Sequence, residues 1–243
     1  MRLIEVASYP KSGNTWLRYL IANTFDIDVH KGVPDYHQWG EKTKDLIQQV
    51  KIDGETYGFY KSHIPNLNAM NPEKILAIYR HPLDVFLSCL NYFYINKWED
   101  KFIDNKIKSV DTIYESGEIC FYFEQFLKDS GETYYSSLLG KLSNYYDYLY
   151  YLKSLDNVIM IKYEDLFEKK RDYFKSNLKN LLEKDVVVPE KLFGEVDNKT
   201  IGSGSNFYWK SKVGNYHSYL TNNQIEAYKS KYSKDLVRLG FEI

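Results

Sequence analysis

The chain has 243 residues, enough for one substantial apolar core, and a single α/β domain over residues 1–243 is the simplest organisation. Its 32 basic and 33 acidic residues leave a formal net charge of −1, which excludes a global field for nucleic acid or an anionic membrane; any anion site must be local. Cys89 and Cys120 match no metal spacing and are expected as buried free thiols. With no leader pattern and no segment long enough to cross a bilayer, a cytoplasmic protein is the expectation.

In chain order, an apolar strand over residues 4–7 runs into Ser8-Tyr9-Pro10-Lys11-Ser12-Gly13-Asn14-Thr15-Trp16 and then an apolar-periodic helix over 15–25. A strand that turns through glycine into a helix offers unpaired backbone N–H groups and the positive end of the helix dipole, a cradle for a phosphate-like oxyanion. Lys11 adds a charge, and Ser12, Asn14 and Thr15 add donors. Lys11 precedes the serine and glycine, so this is not the nucleoside-triphosphate loop Gly-x-x-x-x-Gly-Lys-Ser/Thr.

A second strand over 57–60 leads into Lys61-Ser62-His63-Ile64-Pro65. Histidine is deprotonated near neutral pH and can take up a proton, so a strand-end histidine is a candidate general base. His30 and His37 lie in a polar stretch without an anchoring strand, His81 in a turn and His217 near the C-terminal motif; His63 is preferred over all four. A third strand, 75–79, meets Arg80-His81-Pro82-Leu83-Asp84, where Pro82 suits the start of a helix over 83–93 that carries Ser88. Helical patterns follow at 119–127 and 137–152, crowded with tyrosines whose rings are expected to pack with their hydroxyls at the rim. A strand over 158–161 leads to Lys162-Tyr163-Glu164-Asp165, and helices over 173–182 and 222–239 close the chain. Strands alternating with helices argue for a mostly parallel central sheet flanked by helices, with ligands beyond the carboxyl ends of the strands.

The first motif resembles the 5′-phosphosulfate loop, Tyr-Pro-Lys-Ser-Gly-Thr-Thr-Trp, of sulfotransferases that use 3′-phosphoadenosine 5′-phosphosulfate (PAPS); Asn14 departs and keeps a donor. Arg80 to Ser88, read as Arg-x-Pro-x-Asp-x-x-x-Ser, resembles the 3′-phosphate site of the same family. Lys-x-His-x-Pro resembles the segment that supplies its catalytic base, which implies His63 as base with Lys61 assisting at the sulfuryl group. Residues 209–221 align with the family's Arg-Lys-Gly-x-x-Gly-Asp-Trp-Lys-x-x-Phe-Thr in a worn form: Lys210, Gly214 and Thr221 are in register, while Trp209 replaces the arginine and Ser211 the first glycine. Lys210, Ser211 and Lys212 are then the expected 3′-phosphate contacts, without one bidentate arginine. By the same resemblance Trp16 stacks on adenine and Tyr163 touches it.

The resemblance implies a P-loop-like phosphosulfate loop after the first strand and direct in-line transfer from PAPS to a hydroxyl, less favourably an amine, of a small-molecule acceptor. 3′-Phosphoadenosine 5′-phosphate (PAP) is the product, Lys11 the catalytic cation at the leaving phosphate, and no metal is expected. The acceptor pocket falls to residues 28–54, 91–117 and the tyrosine-rich helices. Of the family's dimer motif Glu226 matches but His217 and Asn222 do not, so monomer and homodimer both stand. Two other readings are kept: an inactive PAPS- or PAP-binding module, suggested by Trp209 and Ser211, and a nucleoside-triphosphate-dependent kinase.

Overall fold

Five short apolar runs form one sheet, one more than the sequence pattern predicts. The computed structural model describes residues 1–30, 32–64, 70–95, 110–202 and 212–243. In chain order the elements are β1 (Arg2–Ser8), α1 (Asn14–Thr24), α2 (Tyr36–Trp39), α3 (Thr43–Leu46), β2 (Val50–Ile52), β3 (Glu55–Ser62), β4 (Lys74–Tyr79), α4 (Pro82–Ile95), α5 (Val110–Glu115), α6 (Ile119–Asp129), α7 (Glu132–Leu139), α8 (Tyr145–Lys153), β5 (Val158–Lys162), α9 (Tyr163–Leu182), α10 (Leu192–Gly202) and α11 (Asn222–Arg238). They divide into two compact units, Met1–Arg80 with Leu149–Ser205 and His81–Tyr148 with Asn206–Ile243.

The first unit holds the sheet, ordered β2-β3-β1-β4-β5. β1 lies parallel to β3 and to β4, β4 lies parallel to β5, and β2 pairs antiparallel with β3 at the edge. Interior strands of such a sheet are covered on both faces, so every residue of β1 from Ile4 to Ser8 is buried, as are Ile75 to Ile78 of β4. The chain leaves β1 for β3 on one side and returns to β4 on the other. β1 and β4 therefore flank a topological switch point, where ligands of open α/β sheets collect.

β2 was not expected because Val50-Lys51-Ile52 is too short to show alternation against its polar surroundings. α9 begins at Tyr163, ten residues before the predicted 173–182 helix; Lys170 at φ 44° interrupts it, and only the second half keeps a clean apolar period. α10 was also unforeseen.

The second unit is helical among its described residues and rich in aromatic contacts. Phe86 of α4 packs on Phe126 of α6 with ring centroids 5.1 Å apart, and Phe126 stacks on Tyr228 of α11 at 5.8 Å. The predicted 137–152 helix is two helices: Gly140 takes φ 59° and ψ −124° after α7, a backbone conformation open to glycine that ends it. Asn144 then accepts a hydrogen bond from the Tyr146 N–H and starts α8. Tyr122, Tyr134, Tyr135, Tyr145, Tyr146 and Tyr148 are buried as expected. Their hydroxyls are not all at the rim, however: Tyr134 Oη donates to the Tyr122 carbonyl at 3.0 Å, and the Tyr146 and Tyr228 hydroxyls pair at 3.1 Å in the interior. Neither cysteine is in a disulfide; Cys89 is buried, but Cys120 is exposed, against expectation, because Ile119, Tyr122, Phe123 and Phe126 define the buried face of α6 and position 120 falls on the other.

Candidate active site

Four parallel strands of the first unit, β3, β1, β4 and β5, end side by side, and each is followed by a residue that the sequence singles out. His63 follows β3, the Pro10–Gly13 turn follows β1, Arg80 follows β4 and Tyr163 follows β5. Adjacent strands lie about 4.8 Å apart, so these groups occupy one edge within roughly 15 Å.

In the turn after β1, Lys11 adopts φ 69° and Gly13 φ 107°, both left-handed. The Ser12 N–H closes the turn onto the Tyr9 carbonyl at 3.3 Å. Gly13 is the N-cap of α1, with no side chain capping the first turn. The first N–H groups of this 11-residue helix are thus left for a ligand or solvent. Ser12 is fully buried and its Oγ has no hydrogen-bond partner, the signature of a group awaiting one. Asn14 Nδ2 donates to the Val6 carbonyl at 3.1 Å, tying the helix start to β1, and Thr15 is exposed.

Tyr163 covers the turn. A Cβ placed on Gly13 would lie 2.7 Å from Tyr163 Cδ2 and 3.3 Å from Ile78 Cδ1, so only glycine lets the ring approach. The Arg80 guanidinium carbon sits 4.5 Å over the Tyr163 ring, a cation–π contact, and Arg80 is itself buried. Trp16 is buried on α1, 5.4 Å from Tyr163 and 5.8 Å from Phe193 of α10, and its Nε1–H donates to Asp197 at 3.2 Å. In this arrangement the indole packs against the protein's own rings.

His63 is anchored from both sides. Its Nδ1 lies 3.0 Å from the Ser8 carbonyl, and a carbonyl only accepts, so Nδ1 carries the proton and Nε2 the lone pair. The backbone N–H of His63 donates to His37 Nε2 at 3.1 Å, with the two rings stacked at 5.7 Å. Burial, then the nearby charge of Lys61, holds the His63 pKa well below the usual imidazole value; the Ser8 carbonyl works in the opposite direction without prevailing. The ring is thus a neutral imidazole at pH 7.

Lys61 is buried, and its Nζ donates to Asp35 Oδ2 at 2.6 Å, a partner the sequence reading did not foresee. Burial lowers the Lys61 pKa, with Asp35 opposing. Asp35 Oδ1 accepts from the His37 N–H at 3.1 Å, capping α2. The Lys61 N–H donates to the Pro34 carbonyl at 2.8 Å, which lays Asp35 beside the end of β3. Asp35 and His37 are therefore site residues that sequence reasoning missed. Asp35-x-His37 reads as a local helix cap, and nothing in its pattern names the strand it joins.

Ser88 and Lys212 fall in the second unit. Ser88 is half-buried on the second turn of α4. On the same helix buried Asp84 accepts from the N–H groups of Gly214 at 2.9 Å and Tyr216 at 3.2 Å, which fixes the start of the C-terminal motif. Lys212 is exposed and lines a recess of about 440 Å³ with Val213, Gly214, Asn215, Ser218 and Tyr219. Lys210 and Ser211, with Trp209, lie outside the described residues. Among the described residues no group of three or more His, Cys, Asp or Glu is placed to hold a metal ion, and no helix is long and apolar enough to cross a membrane.

Comparison with known proteins gives the family. The sulfotransferase domain model matches residues 3–240. An amine sulfotransferase of Oryctolagus cuniculus is 22% identical over 265 residues, covering 96% of this chain and 80% of the relative. A mouse sulfotransferase crystallised with PAP superposes with a TM-score of 0.60 at 16% identity, over 97% of this chain and 84% of that one. Retinol dehydratase in complex with androsterone and PAP gives 0.59 at 17% identity, over 100% and 83%. At these identities the structural likeness shows a shared fold; the domain match, which runs through nearly the whole chain, shows the family. The chain belongs to the sulfotransferase domain family and is by family a PAPS-dependent sulfotransferase.

Proposed function

We propose that the protein, as one sulfotransferase domain over residues 1–243 acting in the cytoplasm, moves the sulfuryl group of PAPS to a hydroxyl of a small-molecule acceptor, with His63 as general base. The observation that carries the reading is the alignment of the β1 anion turn with the His63 imidazole at adjacent strand ends. The residues fit the donor nucleotide: buried Ser12 Oγ without a partner and a helix N-terminus with no side-chain cap. When bound, PAPS supplies an activated sulfuryl group on a phosphate that leaves readily.

The chain's residues then divide the work. Lys11, Ser12, Gly13, Asn14 and Thr15 hold the 5′-phosphosulfate end, and Lys11 with the α1 dipole offsets charge growing on the leaving oxygen. Arg80, with Ser88, Lys210, Ser211 and Lys212, holds the 3′-phosphate; Tyr163, backed by Trp16, meets the adenine. His63 accepts the acceptor's proton at Nε2, the atom left with a lone pair by the Ser8 carbonyl, and such a positioned base contributes about 10² to 10⁴ in rate. Lys61 assists as a charge held close by Asp35. These fixed cations suffice without a metal, so turnover persists in a chelator. The aromatic content favours a planar or apolar acceptor over a long glycan, for which a basic groove would be expected.

Thermal stabilisation by PAP, AMP, and ATP with and without magnesium, followed by transfer from PAPS to a panel of phenols, alcohols and amines, tests the reading. PAP alone should stabilise without metal, by about 2.7 kcal/mol at a hundred times its dissociation constant. Arg80→Ala should weaken PAP far more than AMP, and His63→Ala should lower turnover at least about 10²-fold. Binding of PAP without transfer to any acceptor would favour the inactive binding module; stabilisation only by ATP with magnesium would favour a kinase.

A further inference from the structure

The groups around His63 form a closed chain of contacts that general-base action alone does not require. Asp35 bridges Lys61 Nζ at 2.6 Å and the His37 N–H at 3.1 Å through its two oxygens. His37 Nε2 in turn accepts the His63 N–H at 3.1 Å, and the two imidazoles stack. His63 sits one residue beyond the end of β3, where no strand ladder holds its backbone. Among the described residues the hydrogen bonds to its ring meet Nδ1, 3.0 Å from the Ser8 carbonyl and 3.5 Å from Ser8 Oγ on β1. A ring bonded at one nitrogen can still pivot about that bond; the His37 bond to the backbone and the stacked His37 ring restrain it. The bond demands that His37 Nε2 be an acceptor, hence a neutral ring. Burial first, and then the charge of Lys61, disfavours a positive ring there, while Asp35 opposes with a smaller effect.

We propose that His37 is a positioning residue for the transfer reaction: by accepting the His63 backbone N–H and stacking on its ring, it fixes the Nδ1–H tautomer against Ser8 and aims Nε2 at the acceptor. Asp35 supports it by capping α2, and burial together with the Lys61 charge favours the neutral His37 ring. Among the described residues the titratable and polar groups acting on His63 are Lys61 from β3, His37 from α2, and Lys11 and the Ser8 carbonyl from β1 and its turn. The inference rests on His63 as the base.

The test compares His37→Phe, which keeps a ring and removes the acceptor, with His37→Gln, whose Oε1 stands near the place of Nε2. Nitrogen-15 spectra of the histidine side chains report the His63 tautomer without any acceptor substrate, and transfer from PAPS to 2-naphthol reports turnover. His37→Phe should bring in the Nε2–H tautomer of His63 and lower kcat about tenfold with the KM for PAPS unchanged, the loss of about one hydrogen bond. His37→Gln should restore both. In a His63→Ala background His37→Phe should cost nothing further, because it acts through that ring. A His63 spectrum and a kcat both unmoved by His37→Phe, beside a His63→Ala variant that is inactive, would overturn the positioning role and leave the base intact. Full turnover of His63→Ala would instead overturn the base assignment, and with it the catalytic meaning of the clamp.

Discussion

Replacing Gly13 by alanine tests whether the β1 turn is built as described. Two costs arise from separate features. Gly13 has φ 107°, and an L-residue in the left-handed region costs about 1–2 kcal/mol. The new Cβ would also lie 2.7 Å from Tyr163 Cδ2 and 3.0 Å from Cε2. The ring has little room to yield, since Arg80 covers it at 4.5 Å and Trp16 lies 5.4 Å away; overpacking of this kind costs about 1–3 kcal/mol. The sum is about 2–5 kcal/mol, which for a chain of this length lowers Tm by roughly 4–20 °C. Differential scanning calorimetry of Gly13→Ala, Tyr163→Leu and the pair measures it. A leucine can rotate away from the new Cβ, so the double variant should lose less than the sum of the singles by about 1–3 kcal/mol. A Gly13→Ala protein melting within about 1 °C of the parent would refute the left-handed turn, and strictly additive losses would refute the Tyr163 contact.

Two further outcomes follow from the geometry. His63 titrates below its unfolded value in the folded chain, so it contributes stability that is fully present above pH 6.5 and lost as pH falls through the folded pKa, because the unfolded chain takes up a proton the folded one refuses. The acid limb of kcat/KM should therefore lie below pH 6.5, and His63→Gln should reduce the acid-side fall in Tm; a limb at or above pH 6.5 would contradict the assigned environment. Asp84→Ala leaves the Gly214 and Tyr216 N–H groups without their carboxylate, at about 1–3 kcal/mol each, and Asp84→Asn should recover roughly half as measured by urea unfolding.

Much was legible in the sequence because it is local. The apolar runs around Val6, Phe59, Leu76 and Ile161 read as strands, and Lys11-Ser12-Gly13 between a strand and a helix reads as a turn at a helix N-terminus. What escaped was also local in cause: Gly140 divides a helix that periodicity joins, Lys170 hides the start of α9, and the face of α6 that carries Cys120 outward was not read.

The sequence by itself determined the residue types at the strand ends and their order along the chain, since strand period, turn chemistry and helix caps are set by near neighbours. Only the tertiary structure decided which ends meet. The order β3-β1-β4-β5 brings His63, the Lys11 turn, Arg80 and Tyr163 to one edge from positions up to 152 residues apart, counted from Lys11 to Tyr163. It also laid Asp35 along Lys61 and so placed His37, read from sequence as an unanchored polar histidine, against the His63 backbone. Such pairing depends on a hydrogen bond between the Lys61 N–H and the Pro34 carbonyl, across a span of chain whose closure no local pattern encodes.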